Sequence, residues 1–216
     1  MSTDQQQDFD DLVSQAQVAH RLLAGFYQRL LPTINQVAQQ LQLNFYEWEP
    51  TVTSRPCRKS SNPADSWAWD MLPMMAHIQR FMCSENRESA VGDITLDFFV
   101  TFDSNYSDDG DWSKWRISKN KEPDATSTPM GHALVELYLG RCEKHHKSGL
   151  KELWMNANDL NEEEQWIGRW QNIGTHFNAV YLKLTLAEFI ANPQAVVEQV
   201  KSLLSQSGPA LEQANA

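Results

Sequence analysis

The sequence is poor in the features that usually announce an activity. It holds three cysteines in 216 residues, Cys57, Cys83 and Cys142. An odd number at wide spacing does not make a disulfide framework, so a reducing compartment is expected. No apolar run approaches the roughly 18 residues that a membrane-spanning helix needs, and the mean hydropathy is −0.53. Neither a disulfide-stapled secreted domain nor a membrane protein fits. The N-terminal stretch MSTDQQQDFDD has neither the basic nor the apolar region of a secretory signal, which adds to the expectation of a cytoplasmic protein.

Basic residues are also scarce. Lys and Arg number 18 against 28 Asp and Glu, a formal net charge of −10. A surface of that sign repels phosphate backbones at long range and disfavours nucleic acid as a partner. The local exception, Arg141, Lys144, His145, His146 and Lys147, reads as a solvated loop at a strand end. The chain has no Gly-x-Ser-x-Gly, no glycine-rich phosphate loop and no dinucleotide fingerprint. Serine-nucleophile and nucleotide-cofactor chemistry therefore lack an anchor, and no cofactor is expected.

What is present is enough for a core. The chain carries 9 Phe, 8 Trp and 5 Tyr, and a chain this long can bury roughly 70% of its unfolded surface. After a polar tail over residues 1–7 that is expected to be disordered, apolar residues at Phe9, Leu12, Ala16, Ala19, Leu23, Phe26 and Leu30 alternate steps of three and four. Pro32 predicts a break there, with a second helix from Pro32 to Leu41; a single kinked helix is the alternative. The stripe spans about three heptads, which admits a homo-oligomer seam. Packing on the protein's own sheet is the stronger expectation.

Leu43–Trp48 reads as a short strand, and residues 50–66, rich in Pro and Ser, as a loop. Met74, Met75, Ile78, Phe81 and Met82 fall at helical spacing and predict a helix over Pro73–Met82. Residues 94–102 alternate as a strand, with Asp97 on the opposite side from Leu96 and Phe98. Asp109-Gly110 signals a hairpin into residues 111–118. Residues 119–131 read as a polar loop and His132–Arg141 as a further strand, while Gly149–Asn156 fits either a strand or a helical turn. Asn161 and Glu164 suggest a capped short helix that places Trp166 and Trp170 on one face. Phe177–Leu186 is a strand, Thr185 and Glu188 form a capping box, and Asn192-Pro193 opens a helix through Leu204. The tail from Ser207 is expected to fray.

The predicted class is α+β. It is one domain over residues 8–206, with a mainly antiparallel sheet of about 4–6 strands packed against the long N-terminal helix and the C-terminal helix. The strand order is not legible.

Three constellations carry chemistry. Asp97, Glu136 and Lys183 should share the second sheet face, together with Lys114 or Arg116. Two carboxylates and a lysine there could hold a metal and activate water, although Glu136 lacks the lysine two residues on that metal nucleases use. Cross-strand charge pairing explains the same residues. Cys142, His145 and His146 are zinc-type ligands, but the chain has no Cys-x-x-Cys to support them, so no metal is expected. The run Asp103, Asp108, Asp109, Asp111 fails the EF-hand register, because Asp108 stands where glycine is needed. The last signal is aromatic. Trp67 and Trp69 follow the Ser/Pro-rich loop beside Met71, Met74 and Met75, a composition suited to adaptable binding surfaces. The expected function is therefore a non-enzymatic binding or adaptor protein that engages a protein partner. A metal-dependent hydrolase and an acidic nucleic-acid mimic are the alternatives.

Overall fold

The computed structural model describes residues 3–51, 60, 62–63, 71–72, 74–83, 88–106, 130–157 and 161–206. Helix α1 spans Thr3–Gln40 and is followed by strands β1 (Asn44–Pro50), β2 (Ala76–Met82), β3 (Ile94–Thr101) and β4 (Leu134–Cys142). Then come the short helix α2 (Leu150–Met155), strands β5 (Gln171–Asn172) and β6 (Phe177–Thr185), and helices α3 (Leu186–Ala191) and α4 (Pro193–Leu204). The strands form an antiparallel sheet in the order β1-β2-β3-β4-β6-β5. The α+β class with an N-terminal and a C-terminal helix on the sheet is as expected. The Asp109-Gly110 turn, the strand over 111–118 and the tail from Ser207 lie outside the described residues.

Register places Phe81, Leu96, Leu139 and Val180 in one row across four strands, and Gln79, Phe98, Leu137 and Leu182 in the next. These rows meet Leu30, Ile34, Val37 and Ala38 of α1 and Val196, Val197 and Val200 of α4 in the main core. Each such side chain contributes about 1.5–3 kcal/mol by leaving water. A smaller cluster lies on the other face, where Met82, Cys142, Phe177 and Ala179 of the sheet meet Leu150 of α2 and Ile173. The molecule thus has three layers, not the two that helices on a single face would give.

That second layer explains a correction. Residues 76–82 are a strand, not part of a helix over Pro73–Met82, and all seven are buried. A strand flanked by β1 and β3 and covered on both faces needs no polar side, so the period of two disappears. The methionines then mimic helical spacing by chance.

Pro32 does not divide α1 either; the helix runs through it without a second start. Pro32 is exposed, so its ring faces water. The Thr33 hydroxyl donates to the Arg29 carbonyl at 2.8 Å and engages a backbone acceptor one turn back. The helix begins at Thr3, within the expected polar tail. It ends in a Schellman arrangement: Leu43 N–H donates to Ala38 C=O at 2.9 Å and Gln42 N–H to Gln39 C=O at 3.0 Å. Gln42 carries the left-handed conformation this requires, at φ 60°.

The expected helix around Trp166 and Trp170 is a single 3-10 turn over Glu164–Trp166. Gly168, at φ 73°, turns the chain away, and its N–H donates to the Tyr181 carbonyl at 2.8 Å. Trp166 and Trp170 therefore do not stack. The Trp170 ring lies 4.4 Å from the Arg141 guanidinium carbon, and its N–H donates to Leu203 C=O at 3.1 Å. Arg141 leaves the expected solvated cluster and donates to the Gln206 and Leu204 carbonyls at the end of α4. By contrast, the Thr185–Glu188 capping box and the Asn192 cap with Pro193 in the first turn stand as read.

A side chain without Cβ relieves the left-handed strain at position 42. Gln42→Gly is therefore expected to raise the unfolding free energy by about 1 kcal/mol, read as a higher midpoint in urea with an unchanged slope. Unchanged or lower stability would mean that Gln42 is not strained there.

Candidate functional site

Two sites deserve comparison, one on each face of the sheet. On the face away from α1, strand β1 brings Glu47 opposite Arg80. The Arg80 guanidinium donates from one nitrogen to Glu47 at 2.9 Å and Glu49 at 2.8 Å, and its Nε lies 3.5 Å from Asp97 Oδ2. Lys151 on α2 reaches Glu47 at 2.8 Å and sits 4.6 Å over the Tyr46 ring. Trp154, one turn along α2, donates its indole N–H to Asp97 Oδ2 at 3.0 Å. The indole fits because Gly140 stands beneath it: a Cβ there would lie 2.3 Å from the ring.

Asp97 and Arg80 are both buried. Asp97 Oδ1 and the Thr95 hydroxyl have no hydrogen-bond partner in the described structure. Burial pushes the Asp97 carboxyl from 3.8 up to about 6, against the opposing pull of the Trp154 N–H and the Arg80 charge. Glu47 moves the other way, held below the ordinary carboxylate range by its bond to Lys151.

Glu136 and Lys183 stand further along the same face, 3.3 Å apart, and the Tyr181 hydroxyl donates to Glu136. Tyr138 donates to Glu162. Burial and these carboxylates push both phenols above their ordinary range. Asp97, Glu136 and Lys183 thus share a face, but Asp97 lies opposite Tyr138 and Glu136 opposite Phe99. Each carboxylate has its own partners. Among the described residues, no group of three or more His, Cys, Asp or Glu is arranged to hold a metal ion. Lys114 and Arg116 lie outside the described residues.

The zinc-type candidates do not converge. Cys142 is buried, its thiol donating to the Lys144 carbonyl at 3.3 Å, and burial raises its pKa. His145 is exposed and lies 3.5 Å from Glu88. His146 accepts from Ser148 N–H at 3.0 Å and meets the His176 ring edge-on at 4.7 Å. Asp103 closes a turn by accepting from the N–H groups of Asn105 and Gly131 at 3.0 and 2.7 Å.

The other face holds a groove of about 520 Å³ between α1 and the β1 edge, lined by Leu31, Asn35, Phe45, Trp48, Met74 and Gln79. Phe45 is 48% exposed and Trp48 39%, high values for aromatic rings on a packed sheet face. Met71 and Leu72 are exposed too. Two of the groove-lining residues, Met74 and Gln79, are bonded by His77, which is fully buried. Its Nδ1 faces the Met74 carbonyl at 3.0 Å and its Nε2 the Gln79 amide nitrogen at 3.0 Å. One nitrogen donates and the other accepts, so the ring must be neutral. Burial lowers its pKa to about 4.

Of the expected binding residues, Met74 lines this groove, Met71 is exposed nearby and Trp67 and Trp69 lie outside the described residues. Met75, expected at the same surface, is buried, and its carbonyl accepts from Phe102 N–H at 2.8 Å. Sequence reasoning missed Phe45 and Trp48. Their signal was there: aromatics in a short strand that the sheet leaves at its edge.

Asp97 and His77 pull the stability profile in opposite directions. Folded Asp97 keeps its proton where the unfolded chain has lost it, so its contribution falls as pH rises from about 4 to 6. Folded His77 resists a proton that the unfolded chain accepts, so its contribution is lost as pH falls from about 6.5 to 4. Asp97→Asn removes only the first effect. Its unfolding free energy should climb with pH across this window more steeply than the wild type's, by on the order of 2 kcal/mol. Parallel urea-derived profiles would show that Asp97 titrates normally.

No curated protein and no solved structure matches the chain significantly. A family model covering residues 6–208 does match, and on that match the chain belongs to the PM0109 family.

Proposed function

We propose that the protein is a non-enzymatic binding or adaptor protein that takes an apolar segment of a protein partner into the groove beside β1. The observation that carries this reading is the pair of part-exposed rings, Phe45 and Trp48, over a groove that the protein's own described side chains do not fill. The groove's size lies within the range of ligand clefts, and a few polar groups, Asn35 and Gln79, stand among apolar walls. Aromatic anchors at the centre of such a patch commonly supply most of the binding energy. Met74 adds an adaptable side chain to the wall. A neutral His77 ties Met74 and Gln79 together behind the surface, which keeps the groove shaped before a partner arrives.

The hydrolase alternative draws less support. Asp97 is committed to Trp154 and Arg80, and Glu136 to Tyr181 and Lys183. A charge mimic is weakened by the same pairing, since Glu47, Glu49 and Asp97 point at the protein's own cations. No described helix is long and apolar enough to cross a membrane.

A phage-displayed random peptide library selected on the full chain tests the proposal. Enriched peptides should carry an aromatic or branched aliphatic anchor, and Trp48→Ala or Met74→Glu should each weaken them about tenfold or more. Selected peptides that bind both variants as well as the wild type would overturn it.

A further inference from the structure

Residues 7–22 of α1 are exposed at every position, and the helix first meets the domain around Leu23, Phe26 and Tyr27. One side of this projecting arm is lined by Phe9, Leu12, Ala16 and Ala19, all exposed, and Phe9 and Leu12 are each more than half exposed. Helices draw most of their stability from packing an apolar face, and an isolated helix of this length is marginal in water. The arm is not a stray extension, since the family model begins at residue 6.

The spacing is narrower than a general amphipathic pattern. Phe9, Leu12, Ala16, Ala19, Leu23, Phe26 and Leu30 repeat at steps of three and four without slippage. A strict seven-residue repeat is the mark of a helix that pairs with another helix. From Phe26 on the seam is taken: Phe26 packs edge-on against Phe102 at 4.7 Å, and Leu30, Ile34 and Val37 are fully buried in the protein's own core. Above it the seam is open.

We infer that residues 9–26 of α1 pair antiparallel with the same segment of a second copy of the chain. Charge selects this occupant and this direction. The arm is acidic at its start, with Asp8, Asp10 and Asp11, and basic further on, with Arg21 and Arg29. A parallel pair would stack the acidic ends on each other and press two domains together at one end. An antiparallel pair sets the acidic end of each helix beside the basic part of the other and keeps the domains apart. With the two-fold axis between Ala16 and Ala19, Leu12 meets Leu23 of the second copy, and Phe9 reaches the part of Phe26 that its own domain leaves exposed. The small Ala16 and Ala19 then let the helices close at the centre. Asp8 and Arg29 flank this seam on the same side, so Asp8 of each chain lies opposite Arg29 of the other. The same acidic start makes an anionic lipid surface a poor alternative.

A helix pair about 30 Å long buries on the order of 1,000 Å² in total, at the lower end of specific interfaces. A reversible dimer with a micromolar dissociation constant is therefore expected. This inference does not rest on the groove.

Sedimentation equilibrium of the full chain between about 1 and 100 μM tests it. The wild type should approach twice the 24.8 kDa chain mass. Leu12→Glu combined with Leu23→Glu should leave a monomer whose near-ultraviolet circular dichroism still reports a folded domain. Asp8→Arg or Arg29→Asp alone should weaken association several-fold, and the two together in one chain should restore it. The two positions are about 30 Å apart within one helix, so only pairing between chains can give that rescue. A monomer at every concentration, a dimer that survives the double Glu change, or a failed rescue overturns the inference.

Discussion

The apolar face of the sheet has to be kept from water, and the second half of α1 is what covers it. Leu30, Ile34, Val37 and Ala38 lie at zero exposure on the rows built by Phe81, Leu96, Phe98, Leu137 and Leu182. Helix α4 completes the cover with Val196, Val197 and Val200. Most of the remaining architecture follows from this one contact. A helix docked by its C-terminal half leaves the rest of its length off the domain, because α1 is far longer than the strands it crosses. It also leaves the β1 edge only partly roofed. Leu31 and Asn35 form one wall there, and Phe45 and Trp48 remain half open on the other.

The opposite face is stabilised differently. It is too polar to be sealed by apolar contacts alone, so α2 brings Trp154 and Lys151 down onto Asp97 and Glu47. Arg80 of β2 links three carboxylates from the two strands that flank it. Two cations face three acids in this cluster, yet it is burial that raises the Asp97 pKa, because the downward pull of Arg80 outweighs the push from Glu47. Pairing of this kind holds a helix in place more than it adds net stability, because desolvation offsets much of the attraction. Its consequence for function is indirect. Charges that are satisfied internally are not available to a substrate, and the proposed recognition surface lies on the apolar side.

The two apolar surfaces, the groove and the projecting arm, lie along the same helix. Leu31 and Asn35 wall the groove within about three turns of Phe26, where the arm ends. Pairing of the arms would hold two grooves at a fixed separation, with each groove open to its own ligand. Linking two binding modules in this way raises their joint hold on a partner that presents two matching segments.

The sequence alone decided the local elements whose signals are short-range. The capping box at Thr185 and Glu188, the Asn192-Pro193 start and the alternation of residues 94–101 depend on neighbours within four residues, and all stand. The heptad stripe of α1 was equally legible, as was the placement of Asp97, Glu136 and Lys183 on one face. The tertiary structure decided everything that depends on what lies across the gap. Burial on both faces turned the methionine-rich segment into β2, because a strand covered on two sides shows no alternation. Gly168 at positive φ separated Trp166 from Trp170, and Arg141 found a helix end instead of solvent. Arg80, Glu47 and Trp154 come together from β2, β1 and α2, and no spacing in the chain encodes that meeting. The same limit applied to the stripe: periodicity shows that α1 has an apolar side, but only the packed domain shows which half of that side is still uncovered.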